Sequence, residues 1–120
     1  MNLTINEKVR ALTNQYQTDD LYSIAYGEGI TINPDPIDLP KGIVLGMAAV
    51  CNGYRSIYLQ ESLNEVEKQQ AIARALGMHL LYLSDMKPTV IAVMQNATDE
   101  QQENIISFAD SLLQQMRNIA

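Results

Sequence analysis

The stretch IVLGMAAVCNGYRSIYL, residues 43–59, decides the fold. Asn52-Gly53 at its centre is the strongest turn signal in the chain. Both central residues of a two-residue hairpin turn take positive φ, which glycine adopts freely and asparagine more readily than most. The apolar run from Ile43 to Val50 precedes it, and Arg55-Ser56-Ile57-Tyr58-Leu59 follows it. Both are strand-sized and bounded by turn residues, so the pair reads as a β-hairpin.

Beyond the hairpin, Ser62 and Glu65 have capping-box spacing. They predict a long helix reaching about Tyr82, with Leu63, Val66, Ile72, Leu76, Leu80 and Leu83 as its apolar stripe. Asp85 to Pro88 ends it. Thr89 to Met94 is β-branched and apolar, which fits a short strand or an extended buried segment. Thr98 and Gln101 repeat the capping-box spacing, with Asp99 and Glu100 in the first turn. The helix that follows should bury Ile105, Phe108, Ala109, Leu112 and Met116.

Before the hairpin, residues 4–16 read as a first helix, with Leu3, Val9, Leu12 and Tyr16 recurring at roughly helical spacing. Thr18 reads as the N-cap of a second, short helix, with Asp19 and Asp20 in its first turn and Leu21, Ile24 and Ala25 facing inward. Gly27-Glu28-Gly29 stops that helix. Ile30-Thr31-Ile32 is a strand, Asn33-Pro34-Asp35-Pro36 breaks regular structure, and Ile37 to Gly42 is a loop. The sum is an α+β domain spanning residues 1–120, a small sheet with a β-hairpin packed against three to four helices.

Composition narrows the function. The 120 residues, 47% apolar and 18% charged, suit one globular domain with a real core. No apolar run approaches a membrane span, and MNLTINEKVR does not read as a secretory leader, so a cytoplasmic protein without a membrane partner is expected. Cys51 is the only cysteine, which excludes an intramolecular disulfide and a CxxC knuckle; beside a turn it reads as a passive small hydrophobe. The formal net charge is −6, and the eight basic residues are scattered singly. Direct nucleic-acid binding is therefore disfavoured. Gly42, Gly46 and Gly53 form no phosphate-cradling loop, and Asp35, Asp38 and Asp85 lack calcium-loop spacing. No cofactor is expected. The six tyrosines read mainly as residues closing the edge of a small core.

Ile72-Ala73-Arg74-Ala75-Leu76-Gly77-Met78-His79-Leu80-Leu81 resembles the central motif of the ImmA/IrrE metallopeptidases. In that family an apolar pair precedes His-Glu-Leu-Gly-His, and a leucine pair follows one residue later. Leu76-Gly77, Ile72-Ala73 and Leu80-Leu81 match. Also similar are Ile57-Tyr58-Leu59 leading into the helix, the segment from Thr18 to Ile32, and the turn at Leu39 to Gly42. Phe108-Ala109 with Leu112-Leu113 resembles the closing helix, which bears the third metal ligand in the family. The resemblance covers almost the whole chain and implies a zincin-like, ImmA/IrrE-type fold.

The departures fall on the chemistry. Arg74 and Met78 stand where the resemblance places two zinc histidines, Ala75 where it places the catalytic glutamate, and Gln102, flanked by Glu100 and Glu103, where it places the third ligand. In HExxH the two imidazoles share a helical face and the glutamate takes a proton from metal-bound water. A guanidinium cannot ligate, a methyl cannot accept a proton, and a thioether suits zinc hydrolysis poorly. The expectation is a vestigial site at Arg74, Ala75, Met78 and Gln102, with no metal and no catalytic residues. Arg74 is expected either at the surface or in the old cleft, paired with Glu103 or Glu100. His79 reads as a surface or partly buried helix residue, with His79, Tyr82 and Glu103 as candidate cleft or partner contacts. The family's members work beside helix-turn-helix repressors in prophages and mobile elements. The resemblance therefore implies an inactive regulatory domain with a repressor-type protein partner. A hydrolase with a different site, built on Cys51, His79 and a loop aspartate, and an accessory or structural role remain as alternatives.

Overall fold

The computed structural model describes residues 4–39, 44–83, 90–95 and 100–118. Among them the order is α1 (Ile5–Tyr16), α2 (Leu21–Gly27), β1 (Ile30–Ile32), β2 (Val44–Cys51), β3 (Tyr54–Leu59), α3 (Glu65–Met78), β4 (Val90–Gln95) and α4 (Glu100–Arg117). A π-helical turn, His79–Leu83, prolongs α3. The class is α+β, as the sequence predicts, and the segment expected as strand or extended chain is β4.

The hairpin organises the sheet. β2 and β3 pair antiparallel from Gly46↔Leu59 to Cys51↔Tyr54. Asn52 and Gly53 between them have φ of 51° and 84°, the consecutive positive angles of a type I′ turn. β1 adds to β3 in parallel, Ile30 opposite Arg55, and β4 adds to β2 antiparallel, Val50 opposite Val90. The strand order is β1-β3-β2-β4, with the hairpin in the middle. The register of β2 against β4 slips between Val44 and Gly46. A Cβ on Gly46 would lie 2.5 Å from the Tyr58 carbonyl oxygen, so glycine is needed there for a close backbone approach.

Strand alternation divides the sheet into two faces. Val44, Ala48 and Val50 of β2 and Ile57 and Leu59 of β3 are buried, whereas Leu45, Met47 and Ala49 are half-buried. α3 packs on β2, β3 and β4, α2 packs on β1, and α4 packs on both α1 and α3. The core joins Val9 and Leu12 of α1, Leu21 and Ile24 of α2, Ile72 and Leu76 of α3, and Ile105, Phe108 and Leu112 of α4. The five residues expected to be buried on the last helix are all in that core.

Two helix starts differ from the sequence reading. Asp20, not Thr18, caps α2: its Oδ1 accepts the Tyr22 N–H at 3.0 Å, while Thr18 Oγ1 accepts the Asp20 N–H at 3.1 Å. α3 begins two residues later than Ser62 predicts. Asn64 and Glu67 form the reciprocal box, Asn64 Oδ1 accepting from the Glu67 N–H at 2.9 Å and Glu67 Oε1 from the Asn64 N–H at 3.0 Å. The cause is Gln60, whose buried side chain accepts the Ser62 N–H and holds this segment as a turn. The later start leaves Val66 67% exposed on the first turn of the helix instead of in its apolar stripe. The turn at Leu39 to Gly42, the helix stop at Asp85 to Pro88 and the box at Thr98 lie wholly or partly outside the described residues.

Asn64→Ala should cost about 1 kcal/mol in urea unfolding. Ser62→Ala should stay within about 0.5 kcal/mol of the parent; the reverse ranking would restore the cap to Ser62. Gly46→Ala should cost about 1–3 kcal/mol in the same assay, because the new methyl meets backbone.

Candidate functional site

α3 is buried on more than one side. Ala71, Ile72, Ala73, Ala75, Leu76, Gly77 and Met78 are all in the core, and only Arg74 interrupts the run, half-buried. The small residues let α4 come close. A Cβ on Gly77 would meet the Phe108 ring at 3.0 Å. Further along, Asn104 Nδ2 donates to the Tyr82 hydroxyl at 3.0 Å. Val66 and Gln70 border a cleft with Leu113 and Met116. These three points of contact show that α3 and α4 run antiparallel.

That register places the expected vestigial residues. Ala75 and Met78 are 1% and 3% exposed and serve as packing. Gln102, half-buried on α4, comes two residues before Asn104, so it sits level with the π turn near Tyr82. It lies roughly 8 Å along the axis from the level of Met78, at 1.5 Å per residue. Glu103 is exposed, and Arg74 makes no ion pair with it among the described residues. These residues do not fit a zinc ion. Two are core wall, one is a permanent cation, and the remaining amide stands apart. Among the described residues no three His, Cys, Asp or Glu side chains converge as a metal would need.

His79 departs most from expectation. It is neither at the surface nor at a cleft, but fully buried, 0% exposed. Its Nε2–H donates to the Ser56 carbonyl oxygen of β3 at 2.8 Å. Because a carbonyl only accepts, the proton must be on Nε2. Nδ1 is enclosed without a partner among the described residues. Burial pushes the pKa of His79 down from its ordinary value; the Ser56 carbonyl opposes this and the positive charge of Arg55 adds to it. A partner contact for His79 is ruled out by its enclosure. The signal was present in the sequence: His79 sits three residues after Leu76 and four before Leu83, on the helix's apolar stripe.

Other polar groups are tied into local structure. The Tyr16 hydroxyl donates to the Glu28 carboxylate, and that bond, with burial, pushes the phenol up to about 12. Tyr82 is occupied by Asn104. Tyr22, Tyr26 and Tyr54 are 47%, 87% and 59% exposed, so half of the tyrosines stand out from the surface instead of closing the core edge. Cys51 is exposed at the hairpin, away from buried His79, and the two do not form a nucleophile–base pair.

Among the described residues, one cleft of about 330 Å³ lies between the start of α3 and the end of α4, with Val66, Leu113 and Met116 as its apolar part and Asp19, Gln69 and Arg117 as polar neighbours. A second, about 230 Å³, lies between α1, the π turn and α4, with Leu12, Leu80, Leu81 and Phe108 at its base. No helix among the described residues is long and apolar enough to cross a membrane. The chain matches no family model, no curated protein and no solved structure.

The enclosure of His79 sets a pH dependence. Its folded pKa lies below the unfolded value of about 6.5, so the unfolded chain binds the proton more tightly. Stability should hold above about pH 6.5 and fall as the pH drops through that value, with a slope of at most about 1.4 kcal/mol per unit from this one group. Urea midpoints between pH 7.5 and 5.5 should show the loss, and His79→Gln should flatten it. An unchanged slope in the variant would remove His79 as the cause.

Proposed function

We propose that this chain is a catalytically inactive, metallopeptidase-like interaction domain of the ImmA/IrrE type, which binds a repressor-type protein partner. The observation that carries this reading is the burial of Ala75 and Met78 at the two positions where water activation and metal ligation would be needed. A helix whose reactive face has become packing keeps its place in the scaffold and contributes no acid, base or Lewis acid. The acidic charge of −6 favours a protein partner over bare DNA.

The cleft between α3 and α4 supports the interaction half of the proposal. Val66 is 67% exposed beside Leu113 and Met116, and Gln69, Gln70 and Arg117 ring them. An apolar centre within a polar rim is the usual anatomy of a protein-docking surface. A partner helix that inserts one or two apolar side chains there would bury Val66, which folding alone leaves in water.

The test pairs metal analysis with binding. Protein purified without chelator or affinity tag should carry far less than the roughly one zinc per chain of a metallopeptidase. Mixed with a helix-turn-helix repressor-type protein from the same genome, the chain should form a complex and leave the repressor uncut. Val66→Glu should weaken the complex by about tenfold or more, the scale of an interface hot spot, without lowering the melting temperature. Stoichiometric zinc with chelator-sensitive cleavage would overturn the inactive reading. A complex indifferent to Val66→Glu would move the docking surface elsewhere.

A further inference from the structure

The outward face of the sheet carries a recess that none of the preceding chemistry uses. Its floor is Ser56, only 5% exposed, with Thr31 as its Cα partner on β1. Tyr54 and Tyr58 stand two positions to either side of Ser56, so alternation puts all three on one face. The rim is Asn33-Pro34-Asp35. It is held in place from both ends: the Asn33 N–H donates to the Ile57 carbonyl at 2.9 Å, and Asn33 Oδ1 accepts the Asp35 N–H at 2.9 Å. The prolines at 34 and 36 stiffen the same segment. The enclosed space is about 220 Å³.

The lining has a definite chemical character. It offers two phenol rings, two hydroxyls, an amide and one carboxylate, and no cation. The Asp35 carboxylate makes no hydrogen bond or ion pair among the described residues; only its backbone N–H is engaged. We propose that this recess binds the guanidinium of an arginine side chain on a partner peptide. A guanidinium is flat and weakly hydrated, so it stacks on tyrosine faces, while its fork of N–H groups matches a carboxylate. Its remaining N–H groups find oxygen acceptors at Ser56, Thr31 and Asn33. The Cα atoms of Tyr54 and Tyr58 are about 13 Å apart at strand spacing, too far for one flat group to touch both rings at right angles to the strand, so the guanidinium stacks on one ring at a time beside Ser56. The chain's net charge of −6 draws a cation in and repels an anion. A neutral sugar would stack on the same rings but would leave the lone charge uncompensated.

The inference is independent of the repressor proposal. The recess lies on the outward face of β1 and β3, whereas the docking cleft lies between α3 and α4, so Val66→Glu should leave it intact. The experiment is a titration of the full chain, followed by amide NMR, with N-acetylarginine methylamide and with its citrulline counterpart, a neutral side chain of the same shape. Arginine should produce saturable shifts, of millimolar affinity, centred on Tyr54, Ser56, Tyr58 and Asp35. Citrulline should bind about fivefold more weakly or not at all, the scale of an exposed charge-assisted contact. Tyr54→Ala and Asp35→Asn alter exposed residues and should keep the native spectrum, while each weakens arginine binding by about two- to fivefold. Equal binding of arginine and citrulline would overturn the proposal. So would an affinity untouched by Asp35→Asn, saturable binding of methyl glucoside in preference to arginine, or shifts that do not saturate.

Discussion

The contact between Gly77 and Phe108 sets the separation of α3 and α4. One more carbon on Gly77 would lie 3.0 Å from the phenylalanine ring, which is itself only 1% exposed and has little room to withdraw. α3 is therefore held between α4 on one side and the sheet on the other. Small side chains at 71, 73, 75 and 77 are what allow a helix to be covered on both sides at interior packing density. The core is continuous because this helix joins its two halves: α3 packs on both the sheet and α4, and its Ile72 and Leu76 belong to one buried cluster with residues of both.

The same constraint bears on function. Residues that would have to face a substrate cannot also fill a core, and Ala75 and Met78 fill the core. His79 follows the same logic. Its ring replaces an aliphatic side chain on the buried stripe and compensates its desolvation with one bond to the Ser56 carbonyl. The helix that a sequence comparison would inspect for catalysis is the one the fold uses as its central support. Among the described residues, exposed Val66 in the α3–α4 cleft and exposed Tyr54 on the outward face of the sheet both lie away from this buried run.

What the sequence made legible was local. Asn52-Gly53 specifies its own φ angles, so the hairpin and its register could be read without knowing anything distant. The apolar spacing of the last helix identified its buried residues for the same reason. The misreadings arose where a tertiary contact overrode a local preference. Ser62 has the right spacing for a cap, but buried Gln60, fixed by its bridge to Ile37 and its bond to the Leu45 carbonyl, takes the Ser62 N–H first. Val66 has an apolar side chain at a helical period, but the helix starts too late to carry it over the core. His79 was misjudged by its chemistry when its position on the stripe was the better guide. The recess at Tyr54 and Tyr58 was illegible because it is completed by Thr31 and Asp35, which reach it only through the parallel pairing of β1 with β3.

The strand order also carries a consequence for how the chain assembles. The central pair, β2 and β3, is joined by two residues, so its closure needs only a short loop and can occur early. The two edge strands come from opposite directions along the chain. β1 must reach β3 past the whole of β2, and β4 must reach β2 past all of α3. Both are long-range pairings whose loop-closure entropy is met before their contacts form, which makes them the slow steps. The hairpin is thus the seed of the sheet as well as its middle. Until α3 docks on it, the apolar inner face of that seed is uncovered, the kind of surface through which partly folded chains associate.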